Sequence, residues 1–253
     1  MAMKKTENKT VEIMEIKKGR LDFCVLGVTP LITEAMSQKV QGEILDPNPK
    51  NNKKGTRGRK HNPLGEFRGS MYTTKDGPTL VYIPAVSFKK SMASAALDMD
   101  GATKSQIARS IWIPHEYAHI YGVPKLRMDV VRCADIARTP DIRTRACFAE
   151  WACCLTVTFP IPLLNETQVV RLLAAAGMMR GVGGFRPEKG AGDFGQFELV
   201  TPDDERYKRI VATGGREAQM AAYESPETWD DETNALLAVW HENSRLWGFE
   251  VAS

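Results

Sequence analysis

No apolar run in this chain approaches the roughly 20 residues that a membrane-spanning helix needs. The opening "MAMKKTENKT" lacks the apolar stretch of an export signal. A soluble, unexported, cytoplasmic protein with no membrane contact is the expectation. Cysteine is sparse and poorly spaced for metal or disulfide work. Cys24, Cys133, Cys147, Cys153 and Cys154 are odd in number and form no C-x-x-C pair, which argues for reduced thiols rather than a disulfide framework or a zinc knuckle. Histidine is scarcer still, with four in 253 residues. No glycine-rich run ends in G-K-[ST], so a P-loop is excluded, and no repeat of fixed period appears. Nothing in the sequence calls for a cofactor.

Hydrophobic residues make up 43% of the chain and charged residues 26%, a balance that buries a core. The length fits one large domain or one domain with sizeable insertions. The net charge of +3 is small but segregated. "PKNNKKGTRGRKH", residues 49–61, is dense in Lys and Arg and has no acid, whereas the last fifty residues are acid-rich. Such segregation points to a polyanion partner at one surface.

Residues 11–32 alternate and are β-branched, which predicts strand. Residues 36–75 lose periodicity and fill with Pro, Asn, Gly, Lys and Arg, as a long insertion does. "PTLVYIPAVSFKKSMASAALDM" reads as a strand, a turn at Pro84 and a helix from about Ser87. A short helix is expected at 103–110. The segment "KLRMDVVRCADIARTPDIRTRACFAEW" alternates like strands and carries Arg127, Arg132, Arg138, Arg143 and Arg145. Residues 153–162 form a strand, and Asn165 caps a helix with the apolar stripe Val169, Val170, Leu172, Leu173 and Ala176. Gly181 stops that helix, "QFELV" closes as a strand, and a helical tail covers about 230–247 with Leu236, Leu237, Trp240 and Trp247. This order predicts an α+β fold with a ferredoxin-like, RRM-related βαββαβ core. The core would span 1–200, with insertions at about 36–75 and 102–150, and 201–253 would form a C-terminal helical extension.

Two segments carry chemistry. "WIPHEYAHIYGVP", residues 112–124, contains H-E-x-x-H. On a helix this places His115 and His119 one turn apart as zinc ligands, with Glu116 as the general base of a metallopeptidase. Pro114 allows a helix to start, but Gly122 and Pro124 limit it to about two turns. No third ligand is marked, and position 125, where the extended motif has histidine, is Lys125. The alternative is that Tyr117, Ile120 and Tyr121 pack while the histidines lie on a polar face.

"GVGGFRPEKGAGDFGQFEL", residues 181–199, sets six glycines among Arg186, Lys189, Phe185 and Phe194. Glycines admit an anion close to backbone N–H groups, cations attract phosphate, and aromatic rings stack on bases. This segment resembles the glycine-rich loop of the RAMP (repeat-associated mysterious protein) superfamily. "YIPAVSFKKSMASAAL" and "RLDFCVLGVTPLI" are similar to the helix start and first strand of backbone subunits in CRISPR effector complexes. The resemblance implies a non-catalytic protein that binds single-stranded guide RNA, or single-stranded DNA in a phage-borne relative. It implies head-to-tail filaments of identical subunits, joined by other effector-complex subunits. The nucleic-acid contacts it implicates are Ser87, Lys89 and Lys90 at the helix start and Arg57, Arg59 and Lys60 in a finger-like insertion. Arg138, Arg143 and Arg145 would sit in a thumb-like insertion, and Arg180, Gly183, Gly184, Phe185, Arg186, Lys189, Gly190 and Gly192 at the loop. Some members of the superfamily cut RNA with a thumb aspartate, for which Asp129, Asp135 and Asp141 are positions here.

Overall fold

A computed structural model describes residues 14–36, 61–132, 140–189 and 192–246. The expectations at Arg57, Arg59, Lys60, Asp135, Arg138, Gly190 and Trp247 lie outside the described residues.

The fold is α+β. Its central strand, β1 (Lys17–Gly27), pairs antiparallel with β8 (Ala152–Ile161) on one side and β9 (Phe197–Val200) on the other. Gly19, Leu21, Phe23 and Val25 alternate with Lys18, Arg20, Asp22 and Cys24, so one face of β1 is apolar and the other polar. Two helices, α2 (Val86–Ala95) and α4 (Glu166–Met179), pack on each other and join the apolar face in one core. Asn165 caps α4 as its sequence predicts: its Oδ1 accepts from the Gln168 N–H at 2.9 Å, and the Gln168 side chain accepts from the Asn165 N–H at 2.9 Å. A shorter helix, α3 (Lys104–Ser110), begins with the same kind of box at Thr103 and Gln106.

The outer edge of β8 meets residues 112–121, joined by bridges at Trp112↔Thr158 and Tyr121↔Ala152. The strand sequence β9–β1–β8 followed by this segment is the order a βαββαβ path produces, with its second strand reduced to two bridges. Eight residues, 113–120, lie between bridges that enclose only five on β8, so the chain bulges outward there. The bulge supplies β5 (Tyr117–His119), which completes a three-stranded sheet with β3 (Tyr72–Thr73) and β4 (Val81–Pro84).

A third sheet has the order β2–β7–β6, from β2 (Leu31–Ile32), β7 (Pro140–Phe148) and β6 (Pro124–Arg132). Where 102–150 was expected to be one thumb-like insertion, only the β6–β7 hairpin projects; α3 and the bridged segment belong to the core. The expected insertion at 36–75 is likewise shorter, because α1 (Pro63–Gly69) buries Phe67 completely and Met71 follows it into the core.

The C-terminal extension contains three helices among the described residues: α5 (Glu205–Thr213), α6 (Arg216–Glu224) and α7 (Asp231–Leu246). They dock on the chain's own core. Gln219 of α6 is fully buried. Its Oε1 accepts from the Leu80 and Val81 N–H groups, both at 2.9 Å, and its Nε2 donates to the Ile120, Gly122 and Gly214 carbonyls at 2.7, 2.9 and 3.1 Å. Before α7, the Leu126 N–H donates to the Glu227 carbonyl and the Trp229 N–H to the Leu126 carbonyl, so residues 227–229 run along the free edge of β6. No helix among the described residues is long and apolar enough to cross a membrane.

Candidate nucleic-acid interface

The glycine-rich loop and the arginine hairpin, far apart in sequence, are edges of one sheet. β1 turns at Val28–Pro30 into β2, whose Leu31 and Ile32 pair with Phe148 and Cys147 of β7. On its other side Ile32 bridges Gly184, whose N–H donates to the Ile32 carbonyl at 2.9 Å. Glycine is required where the loop approaches so closely. Gly183 has φ +82° and Gly195 φ +73°, and a Cβ on either would strike a carbonyl, that of Ile32 or of Val182. The expectation that these glycine amides hold an anion is corrected at three of them. The Gly181, Gly184 and Gly195 N–H groups are committed to the carbonyls of Ala176, Ile32 and Pro30.

Between loop and hairpin lies a cleft of about 610 Å³, walled by Arg127, Asp129, Arg132, Arg143 and Arg145 of the hairpin and by Phe185 and Phe194 of the loop. Arg127 and Arg145 are direct cross-strand partners, as are Asp129 and Arg143. Two guanidinium groups set opposite each other repel, and each is stabilised by an aromatic ring. The Arg145 guanidinium sits 4.5 Å from the Phe185 ring centre, and that of Arg127 lies 5.0 Å from Phe194 and 5.6 Å from Trp229. Arg127 also bonds Asp129 through Nε at 2.8 Å, and Arg145 lies 3.7 Å from Glu34. Arg145 is only 14% exposed, and burial holds its guanidinium below the usual arginine value. Its Nη1 has no hydrogen-bond partner, nor has the Asp129 Oδ2. Phe185 holds the left-handed conformation at φ 49°, a cost for a side chain with a Cβ, and its ring is the one Arg145 covers. Behind them Cys147 is pushed up to about 12 by burial. Farther out the hairpin leaves the body: Val130 and Arg132 are exposed, and Arg143 is 55% exposed despite a 3.5 Å contact with Asp141.

Other implicated residues lie elsewhere. Arg186 closes its own loop, bonding Glu188 at 2.9 Å and the Gly183 carbonyl at 2.9 Å. Burial raises the Glu188 carboxyl, but Ser94 and Arg186 outweigh it and hold it below the carboxylate range. Arg180 at the end of α4 is paired with Asp98. Lys189 ends a short turn, Pro187–Lys189, and Gly192 packs on the Phe185 carbonyl. Ser87, Lys89 and Lys90 occupy the first turns of α2, outside the cleft walls, and Lys90 is exposed.

The H-E-x-x-H segment is not helical. His115 and Glu116 lie in an irregular stretch leading into β5, which ends at His119. His115, Glu116 and His119 line one pocket with Tyr121, Cys154 and Thr156, but without the helix the one-turn arrangement that the motif relies on is absent. The Thr79 hydroxyl donates to the Val81 carbonyl at 2.8 Å and therefore accepts from the His119 Nδ1–H at 3.0 Å. Among the described residues no cluster of three His, Cys, Asp or Glu side chains is arranged to hold a metal ion.

No protein-family model matches the chain, and no curated protein does. It is similar to a chain in the cryo-EM structure of the Type III-B Cmr-beta bound to cognate target RNA. The identity is 13% and the TM-score 0.35, covering 73% of this chain and 60% of that one. At that level the likeness carries no functional weight, and the cleft geometry stands by itself.

Sequence reasoning singled out Arg143, Arg145 and Phe185 but gave no place to Glu34, Trp229 or Ile32. Their roles follow from the β2–β7 register and the docking of residues 227–229, for which no local signal exists.

Proposed function

We propose that this chain binds single-stranded nucleic acid, RNA before DNA, in the cleft between the β6–β7 hairpin and the glycine-rich loop. Copies of it assemble along the strand as a RAMP-type backbone subunit of a ribonucleoprotein. One observation carries the reading: Arg127, Arg132, Arg143 and Arg145 converge with Phe185 and Phe194 on one cleft. Cations beside aromatic rings are the combination that tracks phosphates while leaving faces for bases. Affinity then comes mainly from phosphate contacts, tolerates sequence and weakens steeply with salt. Nothing favours the metallopeptidase alternative.

The test is the ultraviolet absorbance ratio of purified protein before and after nuclease, with extraction and sizing of any nucleic acid and electron microscopy of the same sample. Co-purifying RNA in regular filaments supports the reading. Monomeric protein free of nucleic acid, and without affinity for single-stranded RNA or DNA in anisotropy titrations, overturns it.

A further inference from the structure

The polar face of the central sheet holds a second reactive cluster, unrelated to the cleft. Cys24 of β1 and Cys154 of β8 stand directly opposite each other in the antiparallel register. The Gly27 N–H donates to the Trp151 carbonyl at 2.8 Å, one step beyond the Leu26↔Ala152 pair. The narrow, hydrogen-bonded pairs of this ladder therefore fall on odd residues of β1. Cys24 and Cys154 occupy a wide position, where opposed Cα atoms are about 4.5 Å apart and side chains lean together. A disulfide spans about 4.4–6.8 Å between Cα atoms. The neighbouring wide position shows the closeness directly, since Thr156 donates to Asp22 across the same strands at 2.5 Å.

Tyr207 of α5 completes the cluster. Its hydroxyl lies 2.8 Å from the Cys154 Sγ. Cys154 is exposed and Cys24 half-buried, so an oxidant reaches the pair. Cys153 points into the core, fully buried, and does not compete.

We propose that Cys24 and Cys154 are a modification site that closes to a reversible cross-strand disulfide under two-electron oxidants such as hydrogen peroxide. The Cys154 sulfur attacks one peroxide oxygen, the O–O bond breaks, and a sulfenic acid and water form. The Cys24 sulfur then attacks the sulfenic sulfur; the S–S bond forms and hydroxide leaves with the thiol proton as a second water. Two thiols are oxidised and one peroxide is reduced. Closure removes the thiol that Tyr207 contacts. Because Tyr207 and Ile210 seat α5 on Leu26 and Ala152, oxidation loosens α5.

The experiment treats the full chain with hydrogen peroxide, digests it without reduction and maps cross-linked peptides by mass spectrometry. A Cys24–Cys154 link that dithiothreitol reverses, with faster amide exchange across Glu205–Thr213, is the expected result. Cys154 found as a sulfinic acid or in an intermolecular disulfide, with Cys24 still free, overturns the proposal. A Tyr207→Phe variant keeps the ring but not the hydroxyl 2.8 Å from the Cys154 sulfur, whose hydrogen bond favours the attacking thiolate, and closure slows several-fold. An unchanged rate overturns the part assigned to Tyr207.

Discussion

Replacing Gln219 by methionine tests whether the C-terminal helices belong to the core. The substitution keeps the length of the side chain and its apolar packing and removes every hydrogen bond it makes. Two backbone donors, the N–H groups of Leu80 and Val81, lose their 2.9 Å acceptor in a fully buried position. Each such orphan costs about 1–3 kcal/mol. The carbonyls of Ile120 and Gly122 lose a donor too, but under-satisfied carbonyls are tolerated better than orphan N–H groups. The Gly214 carbonyl keeps the Gly122 N–H at 2.9 Å. Methionine recovers part of the loss through apolar burial, leaving a net cost of about 3 kcal/mol. That is a large share of an ordinary stability of about 5–15 kcal/mol and corresponds to a Tm lower by about 6–12 °C. Urea unfolding of both proteins measures it, and the expected result is a lower midpoint at unchanged slope. A cost under about 1 kcal/mol refutes the reasoning, because it leaves two buried donors broken at almost no penalty. A wild-type transition in two steps refutes it differently, by making residues 205–246 a separate unit.

Further outcomes follow from the same contacts. Arg143→Ala leaves stability unchanged and lowers the log–log salt slope of single-strand binding by about 0.7–1; an unaltered slope removes Arg143 from the interface. Arg186→Ala leaves that slope as it is, but loss of the contacts to Glu188 and Gly183 makes residues 183–189 more protease-sensitive. Burial, with smaller effects from Arg216 and His115, holds His119 below its ordinary value of 6.5. Between that value and the lowered one the unfolded chain binds more protons than the folded chain, so stability rises with pH across the window. The contribution is complete above the ordinary value and disappears as pH falls through the folded one. His119→Gln flattens this part of the stability–pH curve, and an unchanged curve shows that another group is responsible. Purified protein carries no stoichiometric zinc, and His115→Ala leaves metal content and strand binding unaltered by elemental analysis and anisotropy.

Elements with a local chemical signature were legible. The Asn165–Gln168 box, the stop at Gly181 and the alternation of β1 and β8 are written in adjacent residues. The segment around His115 and His119 shows where such reading stops, because positions four apart share a face on a helix and on a strand alike. What distinguishes them is the backbone conformation, which is set by the bridges to β8 and is tertiary. Within the expected helical extension, α5 has a local signature too: Asp204 accepts from the Arg206 and Tyr207 N–H groups as an N-cap, Tyr207 and Ile210 form the buried side of one turn, and Gly214 follows the helix. Glycine density in residues 181–195 suggested amides open to an anion, whereas what comes close at Gly183 is the chain's own β2.

Charge density misleads in the same way, since it counts cations without showing which are free. Arg127, Arg145, Arg180 and Arg186 are all held by carboxylates or aromatic rings of their own chain. Among the described residues, the hairpin arginines that face solvent are Arg132 and Arg143. Two phosphates engaged there give a salt slope of only about 1.4 for a single strand. Those two contacts by themselves are too few to hold RNA firmly at physiological salt. On the proposed reading, assembly adds to the affinity of this cleft. Each added subunit binds a strand already held by its neighbour, so its effective concentration replaces the contacts that a single copy lacks. Titration with oligonucleotides of increasing length then gives affinity that climbs with the number of subunits accommodated. A monomer that binds a short strand as tightly as a long one contradicts the argument from these six arginines.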